Sequence, residues 1–328
     1  MSSRIERPTP FLLAGTILVL VAALGAAPHT ASAQSAAGAH AHAGHDAASH
    51  THHAPLIEVE AEDYAFRVPT EIPSGWNTFR FTNEGEEHHF MLLLRIPEGY
   101  DSDDYMTEVW VPMDEVWALM RDGVVGQEEG LDMMFEPIPE WYGEVVFSGG
   151  PGLVAPGGTV ETTVYLEPGQ YVVECYMKTP EGEFHAMEGM FDPLTVTEAS
   201  SGAAPPSADI RLTLSNYELE VDGELAAGRH TIAVHYADQP DVEGIPGHDV
   251  HLVHLDEDGY PEEVAAWMSW VNIPGLMEPA PGTFLGGVNP MPVGSTAYFT
   301  VDLVPGRYLF VSEYTGAMGV MREFRIQP

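Results

Sequence analysis

Cysteine is nearly absent from the sequence: Cys175 is the only one among 328 residues. A single cysteine excludes an intrachain disulfide, so the fold has to be stabilised without one. An unpaired thiol is reactive outside the cytoplasm unless something occupies it. We therefore favour Cys175 as a metal ligand over a buried, inert cysteine.

Basic residues are also scarce. The chain has 12 lysine and arginine residues against 50 aspartate and glutamate residues, which gives a net charge of −38. Such a surface repels nucleic acids and anionic lipid head groups, so neither is expected as a partner, whereas a basic redox protein is compatible with it. Because the acidic residues are spread along the chain, we interpret the charge as adaptation of a folded surface to high salt.

Long apolar runs are missing after residue 33. The one such run, residues 11–27, follows Arg4 and Arg7 and precedes the small-residue sequence Ala31-Ser32-Ala33. This layout predicts a signal peptide over residues 1–33, and hence export to the periplasm or the extracellular space. A single membrane anchor is the alternative, since the run approaches the length that spans a bilayer. No other segment predicts membrane insertion.

Residues 34–54 are rich in alanine and histidine and have low complexity. Such a tract cannot build a core, so we expect a disordered linker. It could hold Cu(II), Zn(II) or Ni(II) loosely, or it could be a solvated linker whose histidines do nothing specific. The histidines are His40, His42, His45, His50, His52 and His53.

From residue 55 the sequence predicts an all-β protein. Apolar and polar residues alternate over residues 57–61 and 78–81, and clusters of Gly, Pro and Asn separate the runs. This is typical of a β-sandwich. One exception lies between residues 101 and 123, where helical spacing predicts an inserted amphipathic helix. Its apolar residues are Met106, Val109, Trp110, Met113, Val116, Trp117 and Met120.

The second half of the chain repeats the first. Residues 63–82 match 216–235, residues 86–100 match 246–260, and residues 149–175 match 286–312, at shifts of 153, 160 and 137. Three blocks in one order predict a duplicated domain. We predict domains over residues 55–198 and 208–328 with a linker at 199–207, and a counterpart of the inserted helix at 261–271.

Residues 170–190 carry the chemistry. A strand-like run leads into Cys175, and His185 and Met190 follow it. A thiolate, an imidazole and a thioether are ligands that copper prefers, and a second histidine would complete the set. The second copy has Ser312 in place of Cys175, and Gly316 in place of His185 when Met321 is aligned with Met190. It cannot form the same site, and we expect its histidines to be at the surface or hydrogen-bonded: His230, His235, His248, His251 and His254.

The first copy resembles the cupredoxins, the type 1 blue-copper family, in residues 81–90, 171–175 and 194–196 and in the order of His185 and Met190. The resemblance implies two tandem Greek-key β-sandwich domains, the second without copper ligands. It implies one type 1 copper, bound by His88, Cys175, His185 and Met190. His89 could replace His88 as the ligand, and Met187 competes with Met190.

Three functions are compatible with these residues. The favoured one is a blue-copper protein that carries single electrons rather than an enzyme. The alternatives are a copper-handling or storage protein, and a metal-free binding module on the same frame. We find no Ser-His-Asp ordering, phosphate loop or paired-carboxylate site, and a nitrite-reductase-like enzyme would need a further three-histidine copper that the second copy does not predict.

Overall fold

The computed structural model describes residues 53–242 and 244–328, which belong to one compact unit. The predicted signal peptide and all but the last two residues of the histidine-rich tract lie outside the described residues. None of the helices in the described ranges is both long and apolar enough to cross a membrane.

The predicted all-β class is confirmed. The described residues contain eighteen strands, with six short α-helices between them. The strands are β1 Leu56–Glu62, β2 Ala65–Arg67, β3 Glu71–Asn83, β4 Leu92–Ile96, β5 Val146–Phe147, β6 Thr159–Leu166, β7 Gly169–Glu174, β8 Phe191–Ser200, β9 Ile210–Ser215, β10 Glu218–Asp222, β11 Gly228–Tyr236, β12 Asp241–Val242, β13 Ile245–Pro246, β14 Val250–Leu255, β15 Thr283–Val288, β16 Thr296–Leu303, β17 Gly306–Val311 and β18 Met321–Ile326. The helices are α1 Ser102–Tyr105, α2 Val111–Arg121, α3 Gln127–Phe135, α4 His185–Glu188, α5 Pro261–Trp267 and α6 Glu313–Gly316.

One large sheet contains strands from both halves of the chain. Its order is β10-β9-β11-β16-β6-β3-β8-β7-β4-β5, with β1 beside β3 and β2 beside β1. The halves meet where β6 pairs with β16, with Thr163 opposite Tyr298. A second sheet, β15-β14-β17-β18, comes entirely from the second half. The apolar core is continuous through both halves.

Strand β3 bends between two pairing partners. Its first residues pair with β8, and from Gly75 onward it pairs with β6. Gly75 has a φ of +89°, and a Cβ there would lie 2.8 Å from the Ser201 hydroxyl oxygen. Only glycine takes this backbone conformation without strain, so the bend depends on it.

Two of the three predicted sequence shifts recur as strand registers. Thr78 lies opposite Thr163 in the first half. Thr231 lies opposite Thr300 in the second half, at shifts of 153 and 137 from the first pair.

The register of the third block differs by one residue from the sequence match. Leu92 lies opposite Glu174, whereas His251 lies opposite Val311, so the strands correspond at a shift of 159. The match at 160 depended on the Gly-Tyr pair after the strand, and the second-half loop before that pair is one residue longer. A slip of one residue reverses which face each side chain takes. As a result, His89 rather than His88 corresponds to His248.

The helix predicted between residues 101 and 123 is present, with one irregular turn. Asp101 caps α1 by accepting hydrogen bonds from the main-chain N–H groups of Asp103 and Asp104. A π-helical turn, Met106–Trp110, joins α1 to α2. Pro112 follows this turn and has no N–H to continue the regular ladder, which accounts for the wide turn. The predicted second-half helix is present as α5, and α3 was not predicted.

Candidate metal centre

Three segments of the first half converge on one buried point. Cys175 follows the central strand β7, and His185 begins α4. The Cys175 N–H donates to the Met190 carbonyl oxygen at 3.2 Å, and the Met190 N–H donates to the His185 carbonyl oxygen at 2.8 Å. The loop from residue 175 to 190 therefore closes on itself through main-chain bonds that fix its two ligand-type residues.

His89 comes from the loop before β4. Its main chain is paired in both directions with Val154, at 3.2 and 2.8 Å. The Asn83 amide group donates to the carbonyl oxygens of Glu87 and Val154, at 2.7 and 2.8 Å, and so holds this loop against its neighbour. Asn83 ends β3, which is why the loop starts from a rigid position.

His89, Cys175 and His185 form a compact triad. One potential ligand atom from each residue lies within 4.8 Å of those of the other two. All three residues are completely buried. The Cys175 Sγ atom is 3.9 Å from the His185 Nδ1 atom. Two imidazoles and a thiol at these separations can surround one soft or borderline metal ion.

Two carboxylates hold the imidazoles from the outside. The His89 Nε2 atom is 2.7 Å from Asp63 Oδ1, and the His185 Nε2 atom is 2.8 Å from Glu87 Oε2. Because a carboxylate only accepts, each Nε2 carries the proton and each Nδ1 keeps a free lone pair. The Nδ1 of His89 has no hydrogen-bond partner among the described residues, although it is buried. Metal-binding histidines typically have this arrangement, so the residues fit a bound metal.

The carboxylates are themselves fixed. Asp63 accepts hydrogen bonds from the N–H groups of Glu86 and Glu87, at 2.8 and 3.3 Å. Burial pushes the pKa of Asp63 up, but these bonds and the contact with His89 outweigh burial and hold the pKa below its usual value. Glu87 Oε1 accepts from the Tyr64 hydroxyl at 3.0 Å, and the Tyr64 ring packs edge-on against His185 at 4.8 Å.

Cys175 and His89 are both uncharged in the metal-free protein at neutral pH. Burial raises the pKa of the Cys175 thiol to about 12. Burial, and then the neighbouring His185, lower the pKa of His89 to about 4. At neutral pH Cys175 is a thiol and His89 a neutral imidazole. A metal ion would therefore have to displace the thiol proton.

The sequence prediction named His88, Cys175, His185 and Met190. The structure brings Cys175 and His185 together, and Met190 is completely buried next to them in the chain, whereas Met187 is half-buried. His88 is not in the triad, and His89 takes that place.

His88 contacts the second half of the chain instead. Its Nδ1 atom is 2.5 Å from Glu278 Oε1, and its main-chain N–H donates to the same oxygen at 2.9 Å. Its ring packs edge-on against Trp267 and Phe284. Neighbouring residues of an extended segment point in opposite directions, so only one of the two histidines can face Cys175.

A second buried triad contains Asp249, His251 and Glu313. Here the His251 Nδ1 atom accepts a hydrogen bond from the Leu153 N–H at 3.0 Å. Nε2 must then carry the ring proton, which it donates to Asp249 Oδ2 at 2.8 Å. Neither nitrogen of His251 has a free lone pair, so this triad does not fit a metal as the first one does.

The second half has its own residues at the positions of the first triad. The Ser312 N–H donates to Val320 O at 3.1 Å, and the Val320 N–H donates to Thr315 O at 3.1 Å. These bonds repeat those of Cys175, Met190 and His185. Thr315, rather than the predicted Gly316, therefore corresponds to His185.

No protein-family model matches the chain, and no curated protein matches it. Among solved structures, it is similar to auracyanin from Roseiflexus castenholzii, at 19% identity over 44% of this chain and 98% of that one, with a TM-score of 0.25. Auracyanin A from Chloroflexus aurantiacus, described as a blue copper protein, is 19% identical over 43% and 98%, with a TM-score of 0.26. Blue Copper Oxidase from Nitrosomonas europaea is 14% identical over 83% and 86%, with a TM-score of 0.23.

Proposed function

We propose that this protein is an exported blue-copper protein that carries single electrons. One type 1 copper would be held by His89, Cys175 and His185, with Met190 as a weak fourth ligand. The observation that supports this most strongly is the bonding of the two imidazoles, whose Nε2 atoms bond to carboxylates. The His185 Nδ1 atom lies 3.9 Å from Cys175 Sγ, and the His89 Nδ1 atom is buried without a partner among the described residues.

Bound copper would supply a one-electron couple between Cu(I) and Cu(II). The protein contributes a rigid frame around it. Asp63 and Glu87 fix the imidazole tautomers, and the bonds within residues 175–190 fix the thiol. Complete burial of His89, Cys175 and His185 keeps water from the ligands, so little has to rearrange when an electron moves.

A carrier is favoured over a catalyst because the triad has no exposed ligand at which a substrate could bind. The segments that carry the triad are acidic where they are exposed, at Glu84, Glu86 and Glu188. We propose a basic redox protein as the partner. The proposed organisation is a signal peptide at 1–33, a linker at 34–54, a copper-binding cupredoxin-like domain at 55–198, a linker at 199–207 and a ligand-free domain at 208–328.

Copper storage is the second candidate, because complete burial of the triad also suits long retention of Cu(I). The two functions differ in how the site responds to Cu(II). An electron carrier keeps Cu(II) in the thiolate site and gives an intense visible band, whereas a store of Cu(I) is colourless.

The test is a visible absorption and electron paramagnetic resonance measurement on the mature protein with one equivalent of Cu(II). We expect an intense thiolate-to-copper band that is lost in Cys175→Ser and in His89→Gln. His88→Gln is the matched control and should keep the band. A wild-type protein that binds Cu(II) without this band would exclude the electron-transfer proposal.

A further inference from the structure

Lys178 is the only lysine in the sequence, and it lies in the loop between Cys175 and His185. Its side chain is completely buried, which is unusual for lysine. No Asp or Glu oxygen lies within 4.0 Å of its Nζ atom among the described residues. The Lys178 side chain must therefore be held in this loop by groups other than an ion-pair partner.

The Lys178 ammonium bonds to the main chain of the second half. Nζ donates to the carbonyl oxygens of Trp270, Asn272 and Ile273, at 2.8, 2.6 and 3.3 Å. Three acceptors match the three protons of an ammonium group. Burial lowers the pKa of Lys178 to about 7, against the opposing charge of Glu313, so the group is fully protonated only in mildly acidic solution. Nζ also lies 4.4 Å from the centre of the Trp117 ring, within the range of a cation–π contact.

The main chain at Lys178 is joined to the same segment. Its N–H donates to the Leu276 carbonyl oxygen at 2.9 Å, and the residue forms a parallel bridge with Met277. Residues 270–277 thus hold both the backbone and the side chain of the loop at one point. We call residues 270–277 the anchoring segment.

Neighbouring contacts connect the same two regions. Tyr176, next to Cys175, donates its hydroxyl proton to Glu313 Oε2 at 2.8 Å. Glu278, directly after the anchoring segment, bonds to His88, next to His89. The residues beside two of the three triad members are therefore attached to the second half.

We propose that Lys178 is a positioning residue for the metal centre, which fastens the loop of Cys175 and His185 to the anchoring segment. The second half would then serve the site without holding a metal itself. Because the bonds that fasten the loop go to main-chain carbonyl oxygens of the anchoring segment, they would hold the ligands with or without a metal. This inference rests on the proposed function for the identity of the metal, but its first test uses no metal.

Cys175 is the only cysteine, so its reaction with a thiol reagent reports opening of the loop directly. We compare metal-free wild type with Lys178→Met. Loss of the Lys178 hydrogen bonds to the anchoring segment should speed labelling of Cys175 by at least about tenfold. Arg121→Met is the matched control, because Arg121 contacts Glu183 in the same loop from the exposed side at 3.4 Å. It should label like wild type.

Local opening has to be separated from a general loss of stability. Phe299→Leu, in a core strand of the second half away from the loop, lowers global stability without touching Lys178. At equal unfolding free energy, Lys178→Met should label faster than Phe299→Leu. Equal labelling of the two variants would overturn the proposal.

The wild-type protein provides a second test that does not depend on a variant that folds. Acetylation of Lys178, followed by peptide mapping, should be at least about tenfold slower with copper bound, because coupling between two sites is reciprocal. A thiolate-to-copper band with no change in acetylation would overturn the role of Lys178 and leave the proposed function intact. Absence of the band, together with fast labelling of Cys175 in Lys178→Met, would overturn the proposed function and leave the anchoring role intact.

Discussion

The metal centre of the first half and the corresponding place in the second half share one main-chain arrangement. Cys175 and Ser312 each donate their N–H to a residue that closes the following loop, at 3.2 and 3.1 Å. His89 and His248 stand three residues before Leu92 and His251, which occupy matching strand positions. The strand positions and the closing bonds are therefore common to both, but the loops differ in length: His185 is ten positions after Cys175, whereas Thr315 is three positions after Ser312.

The two places also differ in which groups surround the histidine. In the second half, the Thr315 hydroxyl oxygen lies 2.9 Å from Ser312 Oγ and 3.1 Å from His248 Nδ1. The His248 Nε2 atom and, in the first half, the His89 Nδ1 atom are both buried without a hydrogen-bond partner in the described part of the chain. His248 Nε2 lies 3.3 Å from Asp238 Oδ1, whereas His89 lies beside Cys175 and His185. A buried polar atom without a partner costs free energy, so a ligand at that position would stabilise the folded chain. The metal centre is therefore distinguished by a free ring nitrogen that lies beside a thiol and a second imidazole, and not by the presence of histidine alone.

The comparison between the two halves is tested most strongly by substituting the corresponding histidines, His89 and His248. His89→Gln should weaken Cu(II) binding more than about 100-fold, since even changes outside the ligand set cost 10–100-fold. His248→Gln should leave copper affinity unchanged. Competition with a chelator of known affinity measures both. Equal losses in the two variants would show that the free lone pair does not select the site.

The carboxylates behind the imidazoles should have the next largest effect. Glu87→Gln and Asp63→Asn keep the shape but weaken the hold on the Nε2 proton, and each should lower copper affinity by about 10–100-fold. Asp249→Asn is the matched control, because Asp249 holds His251 in the second triad, where no metal is expected. Copper affinity that falls as far in Asp249→Asn as in Glu87→Gln would point to a metal in the second triad.

The parts of this protein that the sequence predicts best are local in the chain. Cys175, His185 and Met190 lie within one loop, and the strand before them has an unbroken apolar run, so their proximity follows from short-range pattern. The alternation of apolar and polar residues in β1 also predicts the buried face of this strand, which contains Ile57, Val59 and Ala61.

The parts that the sequence could not predict depend on contacts across the fold. His88 and His89 are adjacent and chemically identical, and the pattern leading to them is a loop with no fixed alternation. Asp63 and Glu87 are two among 50 acidic residues, so neither stands out. The repeat contains one signal for Asp63, because the second half has the uncharged Asn216 at the matching position. Lys178 bonds to main-chain carbonyls, which leave no trace in residue identity.

Copper binding should depend on pH in the first half through Cys175. Because burial raises the pKa of the thiol to about 12, the metal-free site carries that proton throughout the neutral range. The metal binds the thiolate, so binding releases one proton and affinity should rise about tenfold per pH unit between about pH 5 and 9. Below about pH 4, the pH dependence should steepen as His89 also takes up a proton. Copper titrations at a series of fixed pH values measure the slope of affinity against pH. An affinity that does not change with pH would show that the thiolate is not a ligand.

The smallest expected effect comes from the second half, at Thr315, whose hydroxyl group is hydrogen-bonded. Thr315→Val removes the hydroxyl that contacts Ser312, His248 and the Gly247 carbonyl oxygen, the last at 3.0 Å. Loss of a buried hydroxyl with bonded neighbours should lower the free energy of unfolding by about 1–3 kcal/mol, measured in urea. Copper affinity should stay unchanged. Thr315→Ser keeps the hydroxyl, so its free energy of unfolding should fall less. If both variants lose the same stability, packing of the Thr315 methyl group, and not its hydrogen bonds, stabilises this region.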